Sequence, residues 1–180
     1  MYLAGAVPLV RSILIAVSQL LGGIAASAVV LAIFPGKLAV TTSLSDGTSL
    51  LQGFLIETFL TFELLVTIFM LAGEKHAATP LAPIGIGLSL FIAELSGVSF
   101  TGGSLNPARS FGPAVVLGNF DDEHWVYWAG PAVGAVAAAG LYKFLKILDY
   151  ERANPGQDGA KPGLMPGEHG DGRIRLMDGE

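Results

Sequence analysis

Residues 101–116 read TGGSLNPARSFGPAVV, and this run lies between two apolar stretches each long enough to cross a lipid bilayer. Asn106 is a strong helix N-cap, Pro107 suits the first helical position and Arg109 falls at the third, so the pattern predicts a short helix ending near Leu117. At about 18 Å it is too short for a hydrocarbon core of about 30 Å, which predicts a re-entrant half-helix over residues 106–117. A helix that begins at membrane depth leaves backbone N–H groups in need of partners, and water is the partner expected. The side-chain oxygen of Asn106 can accept from the N–H of Ala108 or Arg109 while its NH2 group donates into a lumen. The combination points to a pore.

Composition agrees. Of 180 residues, 52% are hydrophobic and 14% charged, and the mean hydropathy is +0.60. A soluble domain would have too little polar surface, whereas lipid can cover this chain. The expected fold is an all-α membrane protein with four transmembrane helices, at about 10–34, 50–72, 81–98 and 125–148, and one half-helix. Pro35-Gly36 closes the first span, and a polar stretch over 41–49 leads to the second. Residues 149–180, rich in Gly, Pro, Asp and Glu, are expected to be a disordered tail.

Arg11, Lys75, Lys143, Lys146 and Arg152 fall on one side of this arrangement, and Lys37 falls on the other beside Asp121, Asp122 and Glu123. The positive-inside rule then makes both termini cytoplasmic, with Trp125, Tyr127 and Trp128 as an aromatic anchor at the outer end of the last span. The first apolar run imitates a secretory leader at Ala25, Ala26, Ser27 and Ala28, but it continues to Phe34 and contains Gln19, which favours a span with a packing role.

Several chemistries are disfavoured. There are no cysteines and the net charge is −5 with ten scattered Lys and Arg, which argues against disulfides, thiolate metal sites and nucleic-acid binding. His124 and His169 lack ligand-like partners, and no nucleophile, base and orienting group recur at a recognisable spacing. Neither a metal, a cofactor nor an enzymatic activity is expected. His76 could move its loop on protonation, though a solvated loop histidine is the plainer reading. Gly22, Gly23, Ala26 and Ala28 in the first span and Gly130, Gly134, Ala137 and Ala138 in the last permit close backbone approach, so both helices are expected to be buried. Setting Gly23 against Gly134 gives a faint internal repeat.

The run TGGSLNPARSFGPAVV, with YWAGPAVGA after it and SQLLGGIAAS near the start, resembles the aquaporin, or major intrinsic protein, family, and its fungal water channels above all. The resemblance implies a six-span fold with two half-helices whose Asn-Pro-Ala boxes meet at the pore centre, here represented by its last two-thirds over residues 1–148. It implies that Met1 falls where the first half-helix would be finishing, so that the chain is an N-terminally truncated form. By the same resemblance, Asn106, Pro107 and Ala108 form the pore box and Arg109 the arginine of the selectivity filter. Glu94 and Gly103 take two further filter positions, and Glu57 is the buried glutamate that holds the re-entrant loop. Glu94 departs from the family pattern, which has histidine in water channels and glycine in glycerol channels. It would either pair with Arg109 or turn to the backbone N–H groups of 98–105. Ser110, Ala114 and Tyr127-Trp128 match the water-channel pattern. Glu63 stands where glutamine is common and, six residues from Glu57, points to another face of its helix.

The implied activity is passive flow of water, with small neutral solutes as further candidates, through an integral membrane protein that forms a homotetramer in its intact form. Two alternatives accompany it: a glycerol or small-solute facilitator, and a non-conducting fragment that acts by assembling with intact subunits.

Overall fold

The computed structural model describes residues 2–74 and 78–150. The expectations for Lys75, His76, Arg152 and residues 151–180 fall outside these. Among the described residues five α-helices are formed: α1 Leu9–Ile33, α2 Leu50–Ile68, α3 Ala82–Thr101, α4 Pro107–Leu117 and α5 Val126–Ile147. Among the described residues, Leu9–Ile33, Leu50–Gly73 and Thr79–Thr101 are long and apolar enough to cross a membrane. With 22 residues α5 also has the length, but its Gly and Ala content makes it less apolar.

Local chemistry sets the ends. Ser49 and Gln52 form a capping box at the start of α2, each side chain serving the other residue's backbone N–H. α3 runs three residues beyond the expected 98 because its terminator is Gly102, which takes the left-handed conformation at φ +78° and donates its N–H to Val98. α4 stops in the same way at Gly118, with φ +63°. The end of α2 was expected as plain helix to 72, but it widens into a π-helical turn over Phe69–Gly73. There Phe69 is buried with Ala138 and Ala139, and its ring stacks on Tyr142 at 5.1 Å.

Small residues set the packing. Gly130 and Gly134 bring α5 onto α2; a β-carbon on Gly130 would lie 2.7 Å from the Glu57 β-carbon, and one on Gly134 would collide with the Thr58 carbonyl. Gly23 and Gly112 likewise bring α1 and α4 into backbone contact, at the Ala108 and Gly23 carbonyls. Only half of the expectation for these faces holds. In α5 Gly130, Gly134 and Ala138 are buried and Ala137 is exposed. In α1 Ser27 is the single buried residue, while Gln19, Gly22, Ala26 and Ala28 are exposed. The physical reason is connectivity: α1 packs substantially on α4 alone, and a helix of about 37 Å laid against one of about 16 Å keeps most of its surface uncovered.

The largest fully buried side chains are Tyr127, Glu57, Val126, Thr101 and Ser110, four of them polar. They surround the turn between α3 and α4. Many large apolar side chains are exposed, among them Leu14, Ile33, Phe59, Leu88, Phe91 and Leu95. That distribution inverts a soluble protein's, as lipid solvation requires.

Candidate functional site

The turn at 102–105 is held by one carboxylate. Glu57 on α2 is fully buried; its Oε1 accepts from the Thr101 hydroxyl at 2.7 Å and the Ser104 N–H at 3.1 Å, and its Oε2 accepts the Leu105 N–H at 2.7 Å. Three donors to one carboxylate provide the charge-assisted bonding that a buried anion needs. Leu105 has φ +52°, a left-handed conformation costly for a branched side chain, and the Glu57 bond fixes it there. Tyr127 closes the turn from α5 by donating its hydroxyl to the Thr101 carbonyl at 2.8 Å. Its expected place in an outer aromatic anchor is therefore corrected. It is 1% exposed because the first turn of α5 faces the 101–105 turn, whereas Trp125 and Trp128 are 48% and 38% exposed.

α4 begins as its sequence predicts, with Asn106 capping and Pro107 in the first turn. Asn106 Oδ1 accepts the Ala108 N–H at 3.0 Å. The Asn106 carbonyl accepts the N–H groups of Arg109 and Ser110 at 3.1 and 3.3 Å, and proline has none to place. The expectation that water would satisfy these backbone donors is thus corrected. What the helix end leaves without a partner among the described residues is the Asn106 NH2 group, on an exposed side chain. Ala108 is 7% exposed because its carbonyl meets Gly23 of α1. Arg109 reaches away from the helix and donates through Nη1 to the Val40 carbonyl, in the segment between α1 and α2.

Glu94 and Gly103 meet. The Glu94 carboxylate lies so close over the Gly103 α-carbon that any β-carbon would collide with it, and Gly103 has φ +59°. Among the described residues Glu94 neither pairs with Arg109 nor accepts a backbone N–H from 98–105: Gly102 donates to the Val98 carbonyl, Gly103 to Thr101 Oγ1, and Ser104 and Leu105 to Glu57.

A second set of contacts was not legible in the sequence. Thr42 Oγ1 donates to Ser110 Oγ at 2.7 Å, Ser110 and Ser104 hydroxyls lie 2.6 Å apart, and Ser104 Oγ donates to the Asn106 carbonyl at 3.0 Å. All three hydroxyl residues are buried. Glu63, which the sequence left without a role, accepts from Ser89 at 2.8 Å and so ties α2 to α3. His124 lies beyond α4 with its ring edge-on to Phe120 at 5.1 Å and Tyr127 at 6.0 Å. Among the described residues its buried Nε2 has no hydrogen-bond partner. Burial pushes the imidazole below the usual histidine range, and Asp121 opposes that shift. No group of three or more His, Cys, Asp or Glu side chains that could hold a metal occurs among the described residues.

Buried polar side chains around the 101–105 turn, a largely apolar exterior and bilayer-length helices around a half-length helix define an integral membrane protein. The chain belongs to the major intrinsic protein family, whose model matches residues 1–142. It is 61% identical over 163 residues to Aquaporin-7 of Botryotinia fuckeliana, an alignment covering 91% of this chain and 36% of that one. Identity is 60% over 159 residues with Aquaporin-5 of the same organism and 57% over 159 residues with Probable aquaporin-5 of Gibberella zeae; each alignment covers 88% of this chain and 29% of the relative. The chain thus spans about a third of the length of these relatives. Among solved structures, the X-ray structure of the aquaglyceroporin from Plasmodium falciparum is similar with a TM-score of 0.67 at 20% identity, over 85% of this chain and 71% of that one. The last similarity establishes the fold.

Proposed function

We propose that the chain forms part of the wall of a passive water channel driven by osmotic gradients. Asn106, Pro107, Ala108 and Arg109 line the pore with Glu94 and Gly103, and Glu57 braces the loop that carries them. The observation that carries this reading is the end of α4, where every backbone donor is satisfied from Asn106 and the Asn106 amide is left to donate. A donor fixed at a helix N-terminus orients a single-file water molecule, while the helix dipole and Arg109 oppose protons and cations. That the relatives are named aquaporins supports a water pore. Ser110, Ala114 and Tyr127-Trp128 favour water over a polyol; small neutral solutes remain secondary substrates of the same geometry. In this reading α5 is the fourth span, the termini are cytoplasmic, residues 149–180 form a tail and the assembled channel is a homotetramer.

The exposed length of α1 favours a second reading, in which the chain does not conduct alone and acts within assemblies of intact subunits. Osmotic swelling of spheroplasts expressing the gene separates the two. Accelerated swelling of low activation energy, reduced by Asn106→Ala, is expected of the channel. Acceleration only on co-expression with a longer relative selects the second reading, and none in either background refutes both.

A further inference from the structure

We infer that Thr42 is a positioning residue for the filter: its hydroxyl clamps the 38–43 segment to α4 and thereby holds the Val40 carbonyl where the Arg109 guanidinium binds it. This rests on the reading of Arg109 as a pore residue.

Val40 accepts from Arg109 Nη1. Val40 is itself exposed and lies in a segment without regular structure, so something else must fix its carbonyl. The buried neighbours on either side are Leu38 and Thr42, 7% and 6% exposed. Thr42 alone of these carries a polar group, and it donates to Ser110, the residue next to Arg109 on α4. Both ends of the Arg109–Val40 bond are thus tied together one or two residues away.

The bonds run in a single direction. Ser104 donates to the Asn106 carbonyl, so the proton between Ser104 and Ser110 belongs to Ser110, and Thr42 supplies the proton that Ser110 accepts. The relay ends on the carbonyl that also receives the Arg109 and Ser110 N–H groups. Breaking it at Thr42 leaves a buried acceptor short of one donor and frees the segment. Packing adds to the clamp, since Gly102 approaches so closely that a β-carbon there would lie 3.1 Å from the Thr42 α-carbon.

Thr42→Val keeps the shape and removes the donor; Thr42→Ser keeps the donor; Ser110→Ala breaks the relay one step later. The full chain, in the membranes in which it is expressed, is treated with phenylglyoxal, and modification of Arg109 is read peptide by peptide in the mass spectrometer. Arg109 is expected to react about five-fold faster in Thr42→Val and Ser110→Ala, the effect of one neutral hydrogen bond, and at the wild-type rate in Thr42→Ser. Osmotic uptake is measured alongside in cells that co-express a longer relative, with urea entry expected to rise relative to water in the same two variants and not in Thr42→Ser. Tryptophan fluorescence melting selects variants that retain the fold. Wild-type Arg109 reactivity in folded Thr42→Val and Ser110→Ala overturns the clamp, as does equal reactivity in Thr42→Val and Thr42→Ser. A wild-type chain that passes no water alone or beside the longer relative refutes the pore reading instead, and the modification rates still decide the clamp.

Discussion

The Glu57 Oε2 oxygen accepts the Leu105 N–H at 2.7 Å across 48 positions of sequence, joining the middle of a bilayer-length helix to a turn held in the left-handed region. A bilayer-length helix and an irregular turn therefore share one buried carboxylate. Buried irregular backbone is tolerated only when protein satisfies its donors, and Glu57 does so for two successive N–H groups, Ser104 and Leu105.

Glu57→Ala is expected to destabilise the protein by about 3 kcal/mol, because it strands the donors of Thr101, Ser104 and Leu105 in the interior. Glu57→Gln is expected to be intermediate. Its oxygen can replace Oε1, but its NH2 then faces the Leu105 N–H, donor against donor. Thermal melting of detergent-solubilised protein gives the order wild type, Gln, Ala; equal melting of the two variants would remove the assigned geometry.

Gly134→Ala tests the contact between α2 and α5. The added β-carbon collides with the Thr58 carbonyl, which is backbone and cannot rotate away, so the helices must separate. A loss of about 2 kcal/mol is expected, by the general cost of overpacking. Gly140→Ala, where open space surrounds the α-carbon, should be neutral in the same melting experiment.

Much of this architecture was legible in the sequence, and the failures have physical causes. The N-cap and proline at the start of α4, and the end of that helix at Leu117, follow from local backbone chemistry. The Glu57 bridge was implied by resemblance and not by spacing. The Thr42–Ser110 bond joins two short hydroxyl side chains 68 positions apart, and no periodicity announces such a pair. Tyr127 was misplaced because an aromatic residue near a helix end reads alike whether it faces headgroups or a buried carbonyl. Small residues in α1 do mark a close contact, but composition cannot say that the partner covers only Gly23 and its surroundings.

For the filter, Arg109→Ala removes a fixed charge and the bond to Val40, so leak of protons, cations and small polyols is expected to rise. Glu94→Gln removes the charge lying over Gly103, and solute selectivity or its pH dependence should change. Flux measured in spheroplasts in which a complete channel assembles, with a longer relative co-expressed, checks both. Unaltered leak in Arg109→Ala would withdraw the arginine from the filter, and identical selectivity and pH profiles in Glu94→Gln would do the same for Glu94.

His124 gives a prediction about stability. Burial lowers its folded-state pKa below the ordinary value of 6.5, so the folded protein favours the neutral ring and the unfolded chain takes up the proton first. The stability contributed by the neutral ring is present above about pH 6.5 and is lost as pH falls through the unfolded and then the folded value. Melting temperature should therefore decline from pH 7.5 to 5.5, and His124→Phe, which keeps the ring packing against Phe120 and Tyr127, should decline less. An equal slope in the variant would assign the acid sensitivity to other groups.

Residues 1–180 alone are expected to insert in a bilayer without conducting water selectively. α1 packs substantially on α4 alone and buries only Ser27, so the side of α4 that carries the Asn106 amide and Arg109 is incompletely walled. The backbone donors at that end are not the difficulty, because Asn106 satisfies them. The difficulty is the guanidinium: Arg109 is half-buried and bonded to Val40, and wherever lipid reaches its charge the cost is about 3 kcal/mol on insertion scales, enough to draw in disordered water or recruit another chain. Disordered water conducts protons as readily as it passes water, which is the opposite of a selective file. Stopped-flow light scattering of liposomes containing the purified chain, with a pH-sensitive dye inside, measures both fluxes. Fast water flow of low activation energy with no proton entry would show that the chain closes a pore by itself, and cross-linking of the same liposomes would then show whether several copies supply the missing wall.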